Sequence, residues 1–204
     1  MAKLTGPLMS MTASGKFANS IVFVQAKSGP VARQFVIPSN PKSASQTGVR
    51  AMMAWISQEW AKLTAPEKAT WLTAIATPGE SAFNAFVRSG MNQWKNGLFA
   101  QSEHPSIVEA APAVPTALVA TAAGRQVTFT WVDPAARVFG LALHSTLGGV
   151  NTPSPANAIK VADAGVLQAV FTFAAPGTYH YRLRAASHEG LFGPATADAT
   201  IVVS

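Results

Sequence analysis

The hydrophobic period changes once along this chain, and that change constrains its folding more than any other feature. Between residues 43 and 97, apolar side chains recur every three or four positions, the period of helices packed by one face. From residue 116 onward they recur at every second position, the period of half-buried strands. A chain of 204 residues also exceeds the ~100 to 150 of a typical single domain. Two modest bodies of different class are therefore predicted, joined where neither period holds.

The helical part begins after Ile37-Pro38-Ser39-Asn40-Pro41, which is extended because each proline disfavours helix at the residue before it. Val49, Met52, Met53, Ile56, Trp60 and Leu63 form one stripe down a helix starting near Ser43. Thr64-Ala65-Pro66-Glu67 then ends one helix and caps the next. The hydroxyl of Thr64 can accept from the first turn, Glu67 can reach back, and proline is tolerated there. Thr77-Pro78-Gly79-Glu80 repeats the device. Trp71, Leu72 and Ile75 make the second apolar face, and Phe83, Phe86, Val87 and Trp94 the third, ending near Gly97. Three such helices with short connections make a small bundle over 41–100. Residues 101–115, with three prolines and no periodicity, read as a semi-extended linker.

In 116–204 the alternation is clear in Val127, Phe129 and Trp131 and in Tyr179, Tyr181 and Leu183. Gly124, Asp133-Pro134, Gly148-Gly149, Gly165, Pro176-Gly177 and Gly190 cut the segment into about seven short strands, the pattern of an all-β sandwich. At the other end, residues 1–40 are rich in Val, Ile, Phe, Ser and Thr, with turn signals at Ser14-Gly15 and Ser28-Gly29-Pro30. They predict a β-ribbon with strands near 5–11, 20–26 and 31–37. So small a ribbon has too little core to stand alone. The fold class is thus α+β multidomain: ribbon, three-helix bundle, linker and sandwich.

Charge narrows the function. Charged residues are 12% of the chain against a typical ~25%, which suggests a surface that faces other subunits. Residues 1–100 carry a net +7 and residues 101–204 a net −1. A nucleic-acid surface or a face docking on an acidic shell would both fit that asymmetry. There are no cysteines, which excludes disulfides and thiolate metal sites. His104, His144, His180 and His188 lack the close pairing of a metal site. No secretory signal and no run approaching ~20 apolar residues is present, so a soluble, cytoplasmically made chain is expected.

Catalytic signatures are absent too. No phosphate-binding glycine loop, Gly-x-Ser-x-Gly elbow or HExxH occurs. Ser187, His188 and Asp198 could be imagined as a triad, but hydroxyl, His and Asp residues are common in sandwich loops, and no enzyme activity or cofactor is expected. His180 reads as an ordinary outward strand position. Trp60, Trp71 and Trp94 lie on apolar stripes with Phe83 and Phe86, so they read as core with Trp131, Tyr179 and Tyr181 rather than as base-stacking platforms beside Lys62, Lys68, Arg88 and Lys95. Trp55 alone lies off its stripe. It joins Lys16, Lys27 and Arg33 of the ribbon as a candidate docking residue.

Two resemblances extend this reading. Pro115, Val127-Thr128-Phe129-Thr130-Trp131, Pro176-Gly177-Thr178-Tyr179-His180-Tyr181-Arg182-Leu183-Arg184, Gly190 and Gly193-Pro194 resemble a fibronectin type III domain, departing from it over the Gly, Pro and Asn-rich stretch 145–166. That family implies a display or adhesive module. Gly6-Pro7-Leu8-Met9-Ser10, Ala13-Ser14-Gly15, Ile21-Val22-Phe23, Val31-Ala32-Arg33 and Pro38-Ser39-Asn40-Pro41 through Gln46 to Arg50, with Trp60, Trp71 and Phe83-Asn84-Ala85-Phe86, resemble a group of tailed-phage structural proteins. The resemblance implies a virion protein docked by its N-terminal half and present in many copies among other virion subunits, with the sandwich facing outward. Capsid decoration is the expected role, a neck or tail position the rival, and a DNA-associated protein the alternative from another class. Nucleic acid is otherwise disfavoured as a partner, and no membrane is expected.

Overall fold

The computed structural model describes residues 2–3, 15–17, 21–26, 29–36, 43–136 and 138–204. The chain divides into two compact units, Met1–Pro41 and Lys42–Ser204. The first unit is an antiparallel sheet of β1 (Ala2–Lys3), β2 (Gly15–Phe17), β3 (Ile21–Ala26) and β4 (Gly29–Gln34), in the order β1-β4-β3-β2. The apolar run Ile21-Val22-Phe23-Val24 makes the central strand β3, which pairs with β4 from Ile21↔Gln34 to Ala26↔Gly29. The expected strands at 20–26 and 31–37 correspond to β3 and β4. The one at 5–11 lies outside the described residues, and β2 occupies what reads as a turn.

The second unit opens with α1 (Ala44–Lys62), α2 (Ala65–Thr70) and α3 (Ala82–Lys95). Ser43 caps α1, accepting from the Gln46 N–H. The capping box foreseen at Thr64 is present: its hydroxyl accepts from the Glu67 N–H, and the Glu67 carboxylate accepts from the Thr64 N–H at 2.6 Å. Its expected repeat at Thr77 is not. There the Glu80 carboxylate takes the Ala76 N–H and pairs with Arg88, and Ser81 caps α3 instead. Helix α2 is short and buries none of its own residues; Trp71 after it is fully buried, whereas Leu72 is 61% exposed. The three-helix bundle is therefore two helices crossing with a short capped turn between them.

Seven strands follow: β5 (Thr116–Ala123), β6 (Gln126–Val132), β7 (Gly140–Leu147), β8 (Ala158–Asp163), β9 (Gln168–Thr172), β10 (Gly177–Ala186) and β11 (Ala199–Val203). They form two antiparallel sheets, β5-β6-β9 and β11-β10-β7-β8. This is a fibronectin-type, Ig-like sandwich, with Val127–Trp131 on the second strand and Thr178–Arg184 on the sixth, as the resemblance implies. Val127, Phe129, Trp131, Leu141, Leu143, Tyr181 and Leu183 fill the space between the sheets. Tyr179 donates its hydroxyl to the Ala175 carbonyl, 2.9 Å away and four residues upstream, the tyrosine-corner arrangement of such sandwiches. Within 145–166, where the sequence departs from that resemblance, a 3-10 turn at Pro155–Asn157 leads into β8.

Sheet β11-β10-β7-β8 is covered on its other face by the helices. Met52, Trp55, Ile56, Trp71, Phe86, Trp94 and Phe99 share one cluster with Phe139, Ala142, Ala158, Val161 and Ala186. Strand β7 is accordingly buried from Gly140 to Ser145 without alternation, as a strand covered on both faces must be. Small residues allow the close approach. A Cβ on Gly48 of α1 would lie 2.1 Å from the Pro155 carbonyl oxygen. The unit thus has three layers, helices on sheet on sheet, and residues 101–115 do not separate two bodies. That segment is fastened instead: the Ser102 N–H donates to His188 O, the Ser102 carbonyl accepts from the Trp71 indole, and Glu109 accepts from the His188 N–H.

Candidate interaction surfaces

Trp55, expected as a docking residue, is 3% exposed. Its ring lies 4.6 Å from that of Phe99 and 5.2 Å from that of Phe139. The helical stripe misplaced it because α1 packs against α3 and against the sheet together. Its buried face is Gly48, Met52, Trp55, Ile56 and Glu59, while Val49 and Met53 are exposed. Of the ribbon cations, Arg33 is exposed on β4 opposite Val22. Lys16 sits on β2 opposite Val22 of β3, and Lys27 lies outside the described residues. Trp71, Phe86, Trp94, Trp131, Tyr179 and Tyr181 are buried; Trp60 and Phe83 are half-buried, with their rings 5.9 Å apart.

The titratable groups organise into structural ties. Asp198 does not meet Ser187: its carboxylate accepts from His180 at 2.6 Å, from Arg182 and from the Asn151 N–H, while the Ser187 hydroxyl accepts from the Leu191 N–H. Burial alone would raise the Asp198 pKa, but the bonds from His180 and Asn151 outweigh it and hold the carboxyl below its usual range. Lys62 at the end of α1 bridges Glu59 and Asp163 of β8. Burial raises the Glu59 pKa despite this partner. His144 is buried on β7 with Nδ1 against Ser154 O and Asn157 Oδ1, each at 3.0 Å; burial lowers its pKa to about 4, so it is neutral. Among the described residues, no cluster of His, Asp and Glu could hold a metal ion, and no helix is long and apolar enough to cross a membrane.

Two surfaces stand out instead. The outer face of β5-β6-β9 presents cross-strand rows Val119–Thr130–Gln168, Thr121–Thr128–Val170 and Ala123–Gln126–Thr172. None of these residues carries a charge. The sequence shows this only once the register is known, because the three strands are far apart in the chain. On the side where β8 and β9 edge the two sheets, a groove of about 790 Å³ opens between the first turns of α1 and the sandwich. Ile159, Phe171, Phe173 and Tyr179 line it, together with Arg50 and Lys160.

No family model matches this chain, and no curated protein sequence matches it. Solved structures that resemble it include the FN1–FN3 domains of chicken CNTN1, at 16% identity over 48% of this chain and 32% of that one, with a TM-score of 0.41. The FN5 domain of Drosophila Lar aligns at 21% identity over 46% of this chain and 97% of that one, with a TM-score of 0.36. A β-1,2-glucanase from Parabacteroides distasonis aligns at 11% identity over 47% of this chain and 13% of that enzyme, with a TM-score of 0.40. The fold assignment rests on the strand order rather than on these alignments.

Proposed function

We propose that this chain is a non-enzymatic structural protein of a tailed-phage virion, attached through its N-terminal ribbon and presenting the helix-backed sandwich as a rigid block. A capsid decoration or cement role is the most specific form of this reading, and a neck or tail position its rival. The observation that carries it is the uncharged face of β5-β6-β9. A solvated sheet face normally bears charged side chains, whereas the centres of protein interfaces are depleted of them.

Magnitude limits what that face does alone. Three strands ~4.8 Å apart and three rows repeating at ~6.8 Å cover about 300 Å², well short of the ~800 Å² per partner in a stable interface. Lasting attachment therefore needs a second contact, and the ribbon, whose end strands β1 and β2 each have one sheet neighbour, is the segment suited to provide it by strand pairing. Many weak contacts held on one particle add up through multivalency.

The DNA-associated reading has less support. Lys62 is held between two carboxylates, Arg88 is paired with Glu80, and Lys68 lies over the Trp60 ring. Trp55, Trp71 and Trp94 are buried away from any base. The deciding experiment is mass spectrometry and cryo-electron microscopy of purified particles from the source. Stoichiometric copies with sandwich density outside the shell or neck support the proposal, and absence from the particles ends it.

A further inference from the structure

At the junction of the helices and the sandwich, one amine faces two carboxyl groups. Lys62 Nζ is in direct contact with Asp163 Oδ2 and lies 3.2 Å from Glu59 Oε2. Backbone bonds fix both sides. Glu59 and Lys62 belong to the last turn of α1, where the Leu63 N–H donates to Glu59 O, and Asp163 ends β8 paired with Gly140 and accepting from the Val166 N–H. An ordinary surface salt bridge does not need this setting. Glu59 is 8% exposed, and the second Asp163 oxygen, Oδ1, is buried with no hydrogen-bond partner among the described residues. A buried carboxylate oxygen without a donor is costly, and the carbonyl of a neutral amide in its place costs less. Two other titratable groups line the hollow of about 430 Å³ around this cluster, and both are engaged elsewhere. Glu67 is in the Thr64 capping box, and the His188 ring lies 4.8 Å from that of Phe139.

Condensing an amine with a carboxyl group needs a neutral amine, a polarised carboxyl and a third group that carries protons between them. We infer that Lys62 and Asp163 form an isopeptide bond in the folded protein, with Glu59 as the proton carrier. Glu59 takes a proton from the Lys62 ammonium and delivers it to an Asp163 oxygen, and Nζ then attacks Cγ. The Nζ–Cγ bond forms, one Cγ–Oδ bond breaks, and the two protons lost by the nitrogen leave with that oxygen as water, so Glu59 ends as it began. Burial favours the neutral form of Glu59, which suits a carrier. Burial also favours the neutral amine of Lys62, but the bonds from Asp163 and Glu59 outweigh it and raise the pKa. The amine is therefore charged at rest and the step is slow. A bond made once per molecule needs no turnover, and the fixed geometry replaces a bimolecular encounter. The product joins positions 101 residues apart and fastens the helical layer to the sandwich, independently of the virion reading.

The test is the intact mass of the purified, denatured chain, followed by peptide mapping. The expected result is a mass one water below that of the sequence in most molecules, with a branched peptide joining Lys62 to Asp163. Lys62→Arg, which keeps the charge, should have the full mass of its sequence and melt below the parent, because the cross-link no longer constrains the unfolded chain. Glu59→Gln should keep the water too. Asp163→Asn should give the corresponding branched peptide with loss of ammonia in place of water. A parent that stays at full mass after prolonged incubation, or a water loss that Lys62→Arg retains, overturns the inference. A bond that forms in Glu59→Gln at the parent's rate removes Glu59 from the step. If Glu59→Gln fails to fold, the parent's mass and the branched peptide still decide whether the bond exists.

Discussion

Gly140 faces Phe99 so closely that a Cβ added to it would lie 2.6 Å from the ring's Cζ, with the Trp55 ring 3.1 Å away. This contact joins the start of β7 to the helical layer, and its tightness tests whether helices and sandwich unfold together. Gly140→Ala overpacks a site without slack, so a loss of about 1–3 kcal/mol is expected, or ~2–4 °C of melting temperature per kcal/mol in a chain of this size. Phe99→Leu in the same chain should recover part of that loss, as a coupled pair does. Calorimetry of residues 42–204 should show both layers shifting in one transition. A variant that lowers one of two separate transitions would contradict the shared core.

Much of this architecture was legible because the local signals agree with it. The capping box at Thr64, the alternation of Val127, Phe129 and Trp131, and the turns marked by Gly124, Gly148-Gly149 and Pro176-Gly177 each report on neighbours close in sequence. The third layer was not legible in that way. A single stripe on α1 presumes one neighbour, and the helix has two, so Trp55 reads as exposed when it is buried. The available sign was the run of small residues Gly140, Ala142, Ala158 and Ala186 on the helix-facing side of the sheet. The uncharged face of β5-β6-β9 depends on strand register, which side-chain periodicity does not encode.

Tyr179→Phe tests the corner between β9 and β10. It deletes only the hydroxyl that donates to Ala175 O and leaves the ring packed at 4.0 Å from Phe173. A loss of about 1 kcal/mol is expected, since the half-buried Ala175 carbonyl also loses its partner. Urea unfolding with an unchanged slope would locate the effect in the folded state.

His144 should make stability depend on pH. Its folded pKa of about 4 lies below the ordinary 6.5, so the unfolded chain binds the proton more readily. The associated stability is complete above about pH 7 and is lost as pH falls from 6.5 toward 4. At pH 5 the loss from this one group is about 2 kcal/mol. Denaturant midpoints of the parent and of His144→Gln between pH 7 and 5 check it: the parent should fall more steeply.

Ala117 is the one non-glycine residue with a positive φ, 51°, among those described, and it sits where the β5–β6 register shifts between Thr116 and Val119. An L side chain in that region costs about 1 kcal/mol or slightly more, and glycine escapes it. Ala117→Gly should therefore raise the melting temperature, against the usual penalty for glycine in a strand. A lower melting temperature would mean that the shift does not need the left-handed conformation.

Thr130→Lys addresses the uncharged face directly. Thr130 lies on the central strand of that sheet between Val119 and Gln168, and it is exposed. A lysine there touches nothing inside the unit, so stability should stay within about 0.5 kcal/mol of the parent. If the face meets another subunit, the ammonium group must lose its water on assembly without a carboxylate to receive it, a cost of several kcal/mol in a dry interface. The expected outcome is a folded, monodisperse protein that no longer incorporates into particles, measured by mass spectrometry after complementation. Incorporation at the parent level would remove this face from the assembly surface and leave attachment to the ribbon alone.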